Sequence, residues 1–205
     1  GNGAEGVLVR VAKNAAVVEI TSALEFDPLP SVHLLAPIAD RERMLSLGEK
    51  ATELGVTSWR PVLWKRSRSV SPRGEGPTFQ QKLKGRMTSA LLQSRGGWLP
   101  EIFPEATVDR AIAASPPGTR LLLDSDELEG SDDSLPAATP LTRLELRSPV
   151  VIALGPEGGV EQAERAQFLA AGFQRASLGP YVLRFETAGI AALAMVRSML
   201  GREDK

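Results

Sequence analysis

Two stretches of this 205-residue chain bring together residue types that could do chemistry at close quarters. The first, Gly155-Pro156-Glu157-Gly158-Gly159, follows the apolar run 149–154 and precedes a helical pattern that opens at 161. Glycines at a strand-to-helix turn let the backbone approach a ligand closely and leave amide donors open. Their spacing matches neither a phosphate-cradling Walker loop nor the G-x-G-x-x-G dinucleotide loop, and Glu157 would repel a phosphate. A ligand carrying hydroxyl or amine groups suits this loop better. The second stretch, Leu178-Gly179-Pro180-Tyr181-Val182-Leu183-Arg184-Phe185-Glu186-Thr187-Ala188, turns into a final helix with Glu186 and Thr187 at its start. Taken singly, these residues also have plain structural explanations: a sharp turn for the glycines, a surface ion pair for Arg184, and the helix dipole for Glu186.

Other chemistries are poorly supplied. The chain has no cysteine and one histidine, His33, inside an apolar strand-like run, where a core role fits it best. No nucleophile–base pair is visible, which argues against a hydrolase, and no clustered His and carboxylate ligands point to a metal. No apolar run approaches the roughly 20 residues that span a bilayer, so no membrane association is expected. The absence of thiols fits a reducing, cytoplasmic setting. Charge is balanced, 24 basic against 25 acidic residues, without the basic excess that usually marks a nucleic-acid partner. The distribution is less even. Lys65, Arg66, Arg68, Arg73, Lys82, Lys84, Arg86 and Arg95 crowd 65–95 with only Glu75 opposing them, while Glu127, Glu129, Asp132 and Asp133 restore the balance elsewhere. A solvated helix and loop explains such a cluster, and an RNA-binding face is compatible with it.

The elements that must hold the two loops follow from periodicity. Residues 6–12 and 15–20 read as strands around a Lys13-Asn14 turn. A lone hairpin is marginal in water, so they are expected to belong to a small β domain with a portion missing before Gly1, and 24–30 to form a linker. Continuous apolar runs at 32–38, 120–124 and 149–154 read as buried strands, and 60–64 as a further strand. Asp40 can cap a helix over 41–54 that Gly55 ends. Helices are also predicted at 79–94, stopped by Gly96-Gly97, at 161–171 and at 186–200; 65–78 is a basic loop and 126–141 an acidic surface loop. Apolar strands alternating with helices imply a parallel sheet covered on both faces. In such sheets ligands bind beyond the carboxyl ends of the strands, where the topology switches.

Taken together, GPEGG and the later LGPYVLRFETA resemble the C-terminal signature of the SPOUT methyltransferases, and more narrowly the ribosomal RNA small subunit methyltransferase E family. The resemblance continues in Lys50-Ala51-Thr52-Glu53-Leu54-Gly55-Val56, Arg66-Ser67, Gln93-Ser94 and Pro100-Glu101-Ile102, and covers about residues 31–200. It implies an α/β domain over 31–205 with a deep trefoil knot, a rare exception to unknotted topology. Residues 1–30 would be a partial PUA-like β domain and linker. It further implies S-adenosylmethionine as cofactor and N3 of a uridine in 16S ribosomal RNA as methyl acceptor, in a homodimer whose second subunit completes the site; the helix face around 188–199 is a candidate dimer contact. The cofactor would lie against Leu154, Gly155, Glu157, Gly158 and Gly159 of the first loop. Leu178, Gly179, Val182, Leu183 and Arg184 of the second would enclose it, with Thr187 and Ala188 beyond and Leu123 and Asp124 at a strand end. Arg184 would stabilise the anion that develops on the base, and Glu186 would orient that arginine or accept a proton. Arg66, Gln93, Ser94 and Arg95 would contact the RNA.

The chain departs from the family pattern at Leu92, Arg95, Tyr181 and Phe185. Those departures favour the alternative, a catalytically impaired knotted paralogue that binds RNA or the ribosome. A methyltransferase of the same fold acting on another RNA is the third reading.

Overall fold

The computed structural model describes residues 1–67, 72–124 and 137–201. Its main body is an eight-stranded parallel sheet. Strand β3 (Val32–Pro37) pairs on one side with β4 (Ser58–Leu63), which carries the short β5 (Glu101–Ile102) and β6 (Ala106–Thr107). On its other side β3 pairs with β9 (Val150–Leu154), followed by β7 (Thr119–Leu123), β10 (Gln174–Ser177) and β8 (Thr139–Pro140). The central strands are mostly apolar, β9 wholly so, because both of their faces are covered. Leu34, Leu121, Ile152 and Leu154 meet helices α1 (Arg41–Glu53), α2 (Gly76–Ser94) and α5 (Phe185–Leu200) on one face. Their alternating neighbours Leu35, Leu122, Val151 and Ala153 meet α3 (Val108–Ala113) and α4 (Gln162–Ala170) on the other. The sequence places β9 late, yet it sits between β3 and β7, and this insertion creates a switch in strand order.

The helix ends have local causes. Asp40 caps α1, its Oδ1 accepting from the Arg43 amide at 3.0 Å. Helix α2 starts at Gly76, earlier than the expected 79, because Pro77 fits the first turn, where its missing N–H goes unused. It ends on Arg95, a non-glycine residue in the left-handed region (φ 57°), rather than on Gly96. The short elements β5, β6, α3 and β8 carry too few residues to show a period. Strand β10 escaped the pattern for another reason: its sequence QRAS is polar, and the buried Arg175 needs a partner from β7. Residues 125–136 of the acidic loop and 68–71 of the basic loop lie outside the described residues. The small-residue positions of α5 turn largely inward, Ala192 being buried and Ala188, Met195 and Met199 packing on the core.

Residues 1–25 form a separate antiparallel pair, β1 (Asn2–Ala12) and β2 (Ala15–Glu25), longer than the expected strands and turning at Lys13-Asn14. Val7, Leu8, Val9, Val11, Val17, Val18 and Ile20 are each more than half exposed on it. The hairpin base meets the main body where the Trp98 indole donates to the Phe26 carbonyl at 3.2 Å. His33 stands half-buried near the amino end of β3, its Nδ1 2.8 Å from the Ser58 hydroxyl, and burial holds its pKa below the ordinary histidine value.

Arg197 ties α5 to the far end of α1. Its guanidinium donates to the carbonyls of Leu54 (3.0 Å), Gly55 and Pro30, two of them orphans of a helix C-terminus. Burial pushes its pKa down, a penalty that the three acceptors offset. Arg197→Met keeps the aliphatic stem and strands those carbonyls. It is expected to cost about 2–4 kcal/mol and to lower the melting temperature by about 4–16 °C. A thermal unfolding curve within about 1 °C of the parent would refute this.

Candidate functional site

A cavity of about 390 Å³ opens beyond the carboxyl ends of β7, β9 and β10, within the range of about 300–1,000 Å³ typical of small-molecule sites. One wall is the loop after β9. The Gly159 amide donates to the Pro156 carbonyl at 2.9 Å, and Gly159 takes a φ of 79°, which suits glycine. The turn is buttressed by the segment after β4. The Lys65 amide donates to Glu164 Oε1 at 2.8 Å, the Lys65 ammonium pairs with Glu161 at 2.9 Å, and Arg66 Nη1 reaches the Gly158 carbonyl at 3.5 Å. The ammonium of Lys65 holds the Glu161 carboxyl below its usual pKa. At Gly158 a Cβ would stand 2.8 Å from the Arg66 carbonyl oxygen, so only glycine lets the two loops touch.

The opposite wall is the loop 178–184 after β10. Phe185, buried in the core, anchors its end, and Tyr181, Val182, Leu183 and Arg184 stay exposed above it. The floor is Asp124 at the end of β7. Its Oδ2 accepts from Arg165 Nε at 2.6 Å and Arg175 Nε at 3.0 Å, all three side chains being almost fully buried. Across the cavity, α1 presents Arg43. That guanidinium pairs with Glu157, and its Nε lies 3.8 Å from Glu186 Oε1.

Most of the residues expected around a cofactor therefore meet here. Leu123, Asp124, Leu154, Gly155, Glu157, Gly159, Leu178, Gly179, Val182, Leu183, Arg184 and Ala188 line the cavity. Gly158 and Thr187 do not: the first turns against Arg66, and the second is exposed on the opening turn of α5. Arg184 lines the cavity, and its guanidinium has no ion-pair or hydrogen-bond partner among the described residues. Glu186 does not orient it, because its carboxylate faces Arg43 instead; its second oxygen, Oε2, is buried without a partner. Arg66 is outside the lining, against the Gly158 carbonyl and Glu161. Gln93, Ser94 and Arg95 lie elsewhere, at the end of α2 that leads into β5 and hence at the amino edge of the sheet. Sequence reasoning missed Arg43, Pro156, Val160, Ala176, Ser177, Tyr181 and Phe185 in the lining. The other six lie in or beside the two loops and were within reach of a wider window; Arg43 had no signal of its own.

The cavity joins aliphatic walls to open backbone and one unpaired cation, which suits holding an apolar-and-polar small molecule beside a second reactant. Among the described residues no group of three or more His, Cys, Asp or Glu side chains is placed to hold a metal ion, and no helix is long and apolar enough to cross a membrane.

Residues 27–197 match the family described as RNA methyltransferase domain. The Synechocystis protein named ribosomal RNA small subunit methyltransferase E is 30% identical over 187 residues, covering 91% of this chain and 59% of that relative's length. The Treponema pallidum protein of the same name is 29% identical over 202 residues, covering 95% and 73%. A crystal structure of the Neisseria gonorrhoeae ribosomal RNA small subunit methyltransferase E bound to S-adenosylmethionine superposes with a TM-score of 0.83 at 27% identity, covering 97% of this chain and 79% of that one.

Proposed function

Because this chain belongs to the RNA methyltransferase domain family, we propose that it methylates N3 of a uridine in 16S ribosomal RNA with S-adenosylmethionine as donor. The observation that carries the reading is the cavity itself: both loops picked out in the sequence close on one space, with an unpaired Arg184 at its edge. The residues present fit the donor. The walls Leu123, Leu154, Leu178 and Val182 suit an adenine, and the backbone of 155–159 and 178–183 offers amides and carbonyls for ribose and adenine edges. Gly179, with open space where a Cβ would project, leaves that wall clear. When bound, S-adenosylmethionine supplies an electrophilic methyl carbon.

The chain's own part is alignment and charge. Uracil N3 is a poor nucleophile while protonated, so its proton must leave before or during attack. Arg184 is assigned to stabilise the negative charge then shared by the base carbonyls. Glu186, just outside the lining with its Oε2 buried and unpartnered, is assigned to accept the N3 proton through water. Arg66, exposed beside the 155–159 loop, is assigned to the RNA. Gln93, Ser94 and Arg95 would reach a cavity only from a partner subunit, the arrangement that the homodimer reading requires. The late insertion of β9 between β3 and β7, and the return of α5 against α1, support a knotted C-terminal region. The separate two-stranded sheet supports reading 1–30 as part of a PUA-like β unit and its linker, ahead of a methyltransferase domain at 31–205. A ribosomal RNA substrate places the protein in the cytoplasm.

Calorimetric titration with S-adenosylmethionine tests the cofactor, with one site per chain expected. Transfer of labelled methyl to small-subunit particles, mapped to uridine N3, tests the acceptor. A folded protein that binds no S-adenosylmethionine would overturn the enzyme reading, and binding without transfer would favour the RNA-binding paralogue.

A further inference from the structure

Arg43 is remote in sequence from both loops, yet it touches carboxylates on each side of the cavity. Its placement has a traceable cause. Asp40 caps α1 through the Arg43 amide, and the next residue, Met44, is fully buried, so the first turn is held in one orientation. One turn further on, Leu47 packs against Gly189 of α5. A Cβ at 189 would stand 2.8 Å from Leu47 Cδ1 and 2.9 Å from Leu154 Cδ1, so α1, α5 and β9 meet with no side chain between them. Residues four apart on a helix share a face, as do residues three apart. Arg43, four before Leu47, is therefore brought opposite Glu186, three before Gly189. The same guanidinium pairs with Glu157 of the 155–159 loop.

We propose that Arg43 is a positioning residue, an electrostatic clasp that holds the 155–159 loop and the start of α5 at the separation the methyl donor needs. The inference rests on the proposed cofactor reading. One cation faces two carboxylates, one from each of these two walls. Without it, Glu157 and Glu186 face each other as like charges and drive the walls apart. All three side chains are partly exposed, so the clasp contributes little to global stability. Its effect is on local order of the cavity. Arg43 does not act on the reacting atoms; it acts through the two glutamates.

The test compares Arg43→Ala and Arg43→Lys by S-adenosylmethionine calorimetry and by hydrogen exchange of residues 155–160 in the ligand-free protein. Arg43→Ala is expected to weaken binding about tenfold, the coupling usual within one ionic network, and to speed exchange of the loop with the melting temperature little changed. Arg43→Lys is expected to recover most of both. The decisive variant is Arg43→Ala combined with Glu157→Gln and Glu186→Gln. Removing the stranded charges restores loop protection if repulsion is the cause, and fails to restore it if Arg43 merely fills space, which would overturn the clasp. Parent-like binding and exchange in Arg43→Ala would overturn it equally. If the parent protein binds no S-adenosylmethionine, the cofactor reading fails, while the exchange experiment still decides on the clasp.

Discussion

Replacing Arg184 by alanine is expected to slow methyl transfer by about 10²–10³-fold, the usual effect of deleting one donor to a developing anion, while cofactor binding changes far less. The asymmetry follows from where the side chain sits. Arg184 is the N-cap of α5 in extended conformation (φ −63°, ψ 150°), so its side chain leaves the helix axis at the cavity edge. The next residue, Phe185, is 4% exposed and anchors the turn in the core, so truncating Arg184 removes no packing. Its guanidinium has no ion-pair partner among the described residues. The charge is therefore available to the base. Arg184→Lys keeps the charge without the planar fork, and an intermediate rate is expected. Single-turnover transfer alongside calorimetry separates the two effects. Unchanged turnover in a folded Arg184→Ala protein would remove Arg184 from the chemistry.

Asp124→Ala is expected to act on the opposite property. Asp124 stands between two arginines whose side chains are 6% and 5% exposed, and its own is 2% exposed. Such a cluster is not strong evidence of net stabilisation, because burying the charges offsets much of their attraction. Removing its one carboxylate is another matter. The Arg165 side chain then keeps only its bond to the Val160 carbonyl at 3.3 Å among the described residues, and its charge stays buried. A loss of about 3–5 kcal/mol is expected, with a fall in melting temperature of about 6–20 °C and with cofactor binding lost as the floor of the cavity shifts. Urea unfolding measures it. Adding Arg165→Met to Asp124→Ala should recover part of the loss, since an apolar side chain of similar reach no longer needs a counter-charge. A single variant within about 0.5 kcal/mol of the parent, the range of ordinary surface changes, would show that the cluster is dispensable.

The two readings differ in how visible they were. Arg184 lies inside a contiguous motif, and its place in a loop beside the cavity was legible along the chain. Asp124 was placed at a strand end by resemblance, but nothing local showed that Arg165 and Arg175 close on it from 41 and 51 residues away. Strand β10 was missed for the same reason. QRAS has no apolar run, and it becomes a buried strand only because Asp124 answers the charge of Arg175.

What the chain determined by itself is whatever depends on neighbours along it. The doubly covered strands at 32–37, 119–123 and 150–154 declare themselves by the apolar runs 34–36, 121–123 and 150–154, since a polar side chain fits poorly between two helix layers. Asp40 announces α1 through a bond three residues long, and the glycines of 155–159 announce a turn that no side chain would fill. The tertiary structure decided what depends on distance in space: that β9 enters between β3 and β7, that Gln93, Ser94 and Arg95 end at the edge of the sheet away from the cavity, and that Arg43 joins it. Hydrophobic periodicity and capping are short-range and non-specific as to partner, whereas the pairing of Arg43 with Glu157 and Glu186 exists only once α1, α5 and β9 close around Gly189.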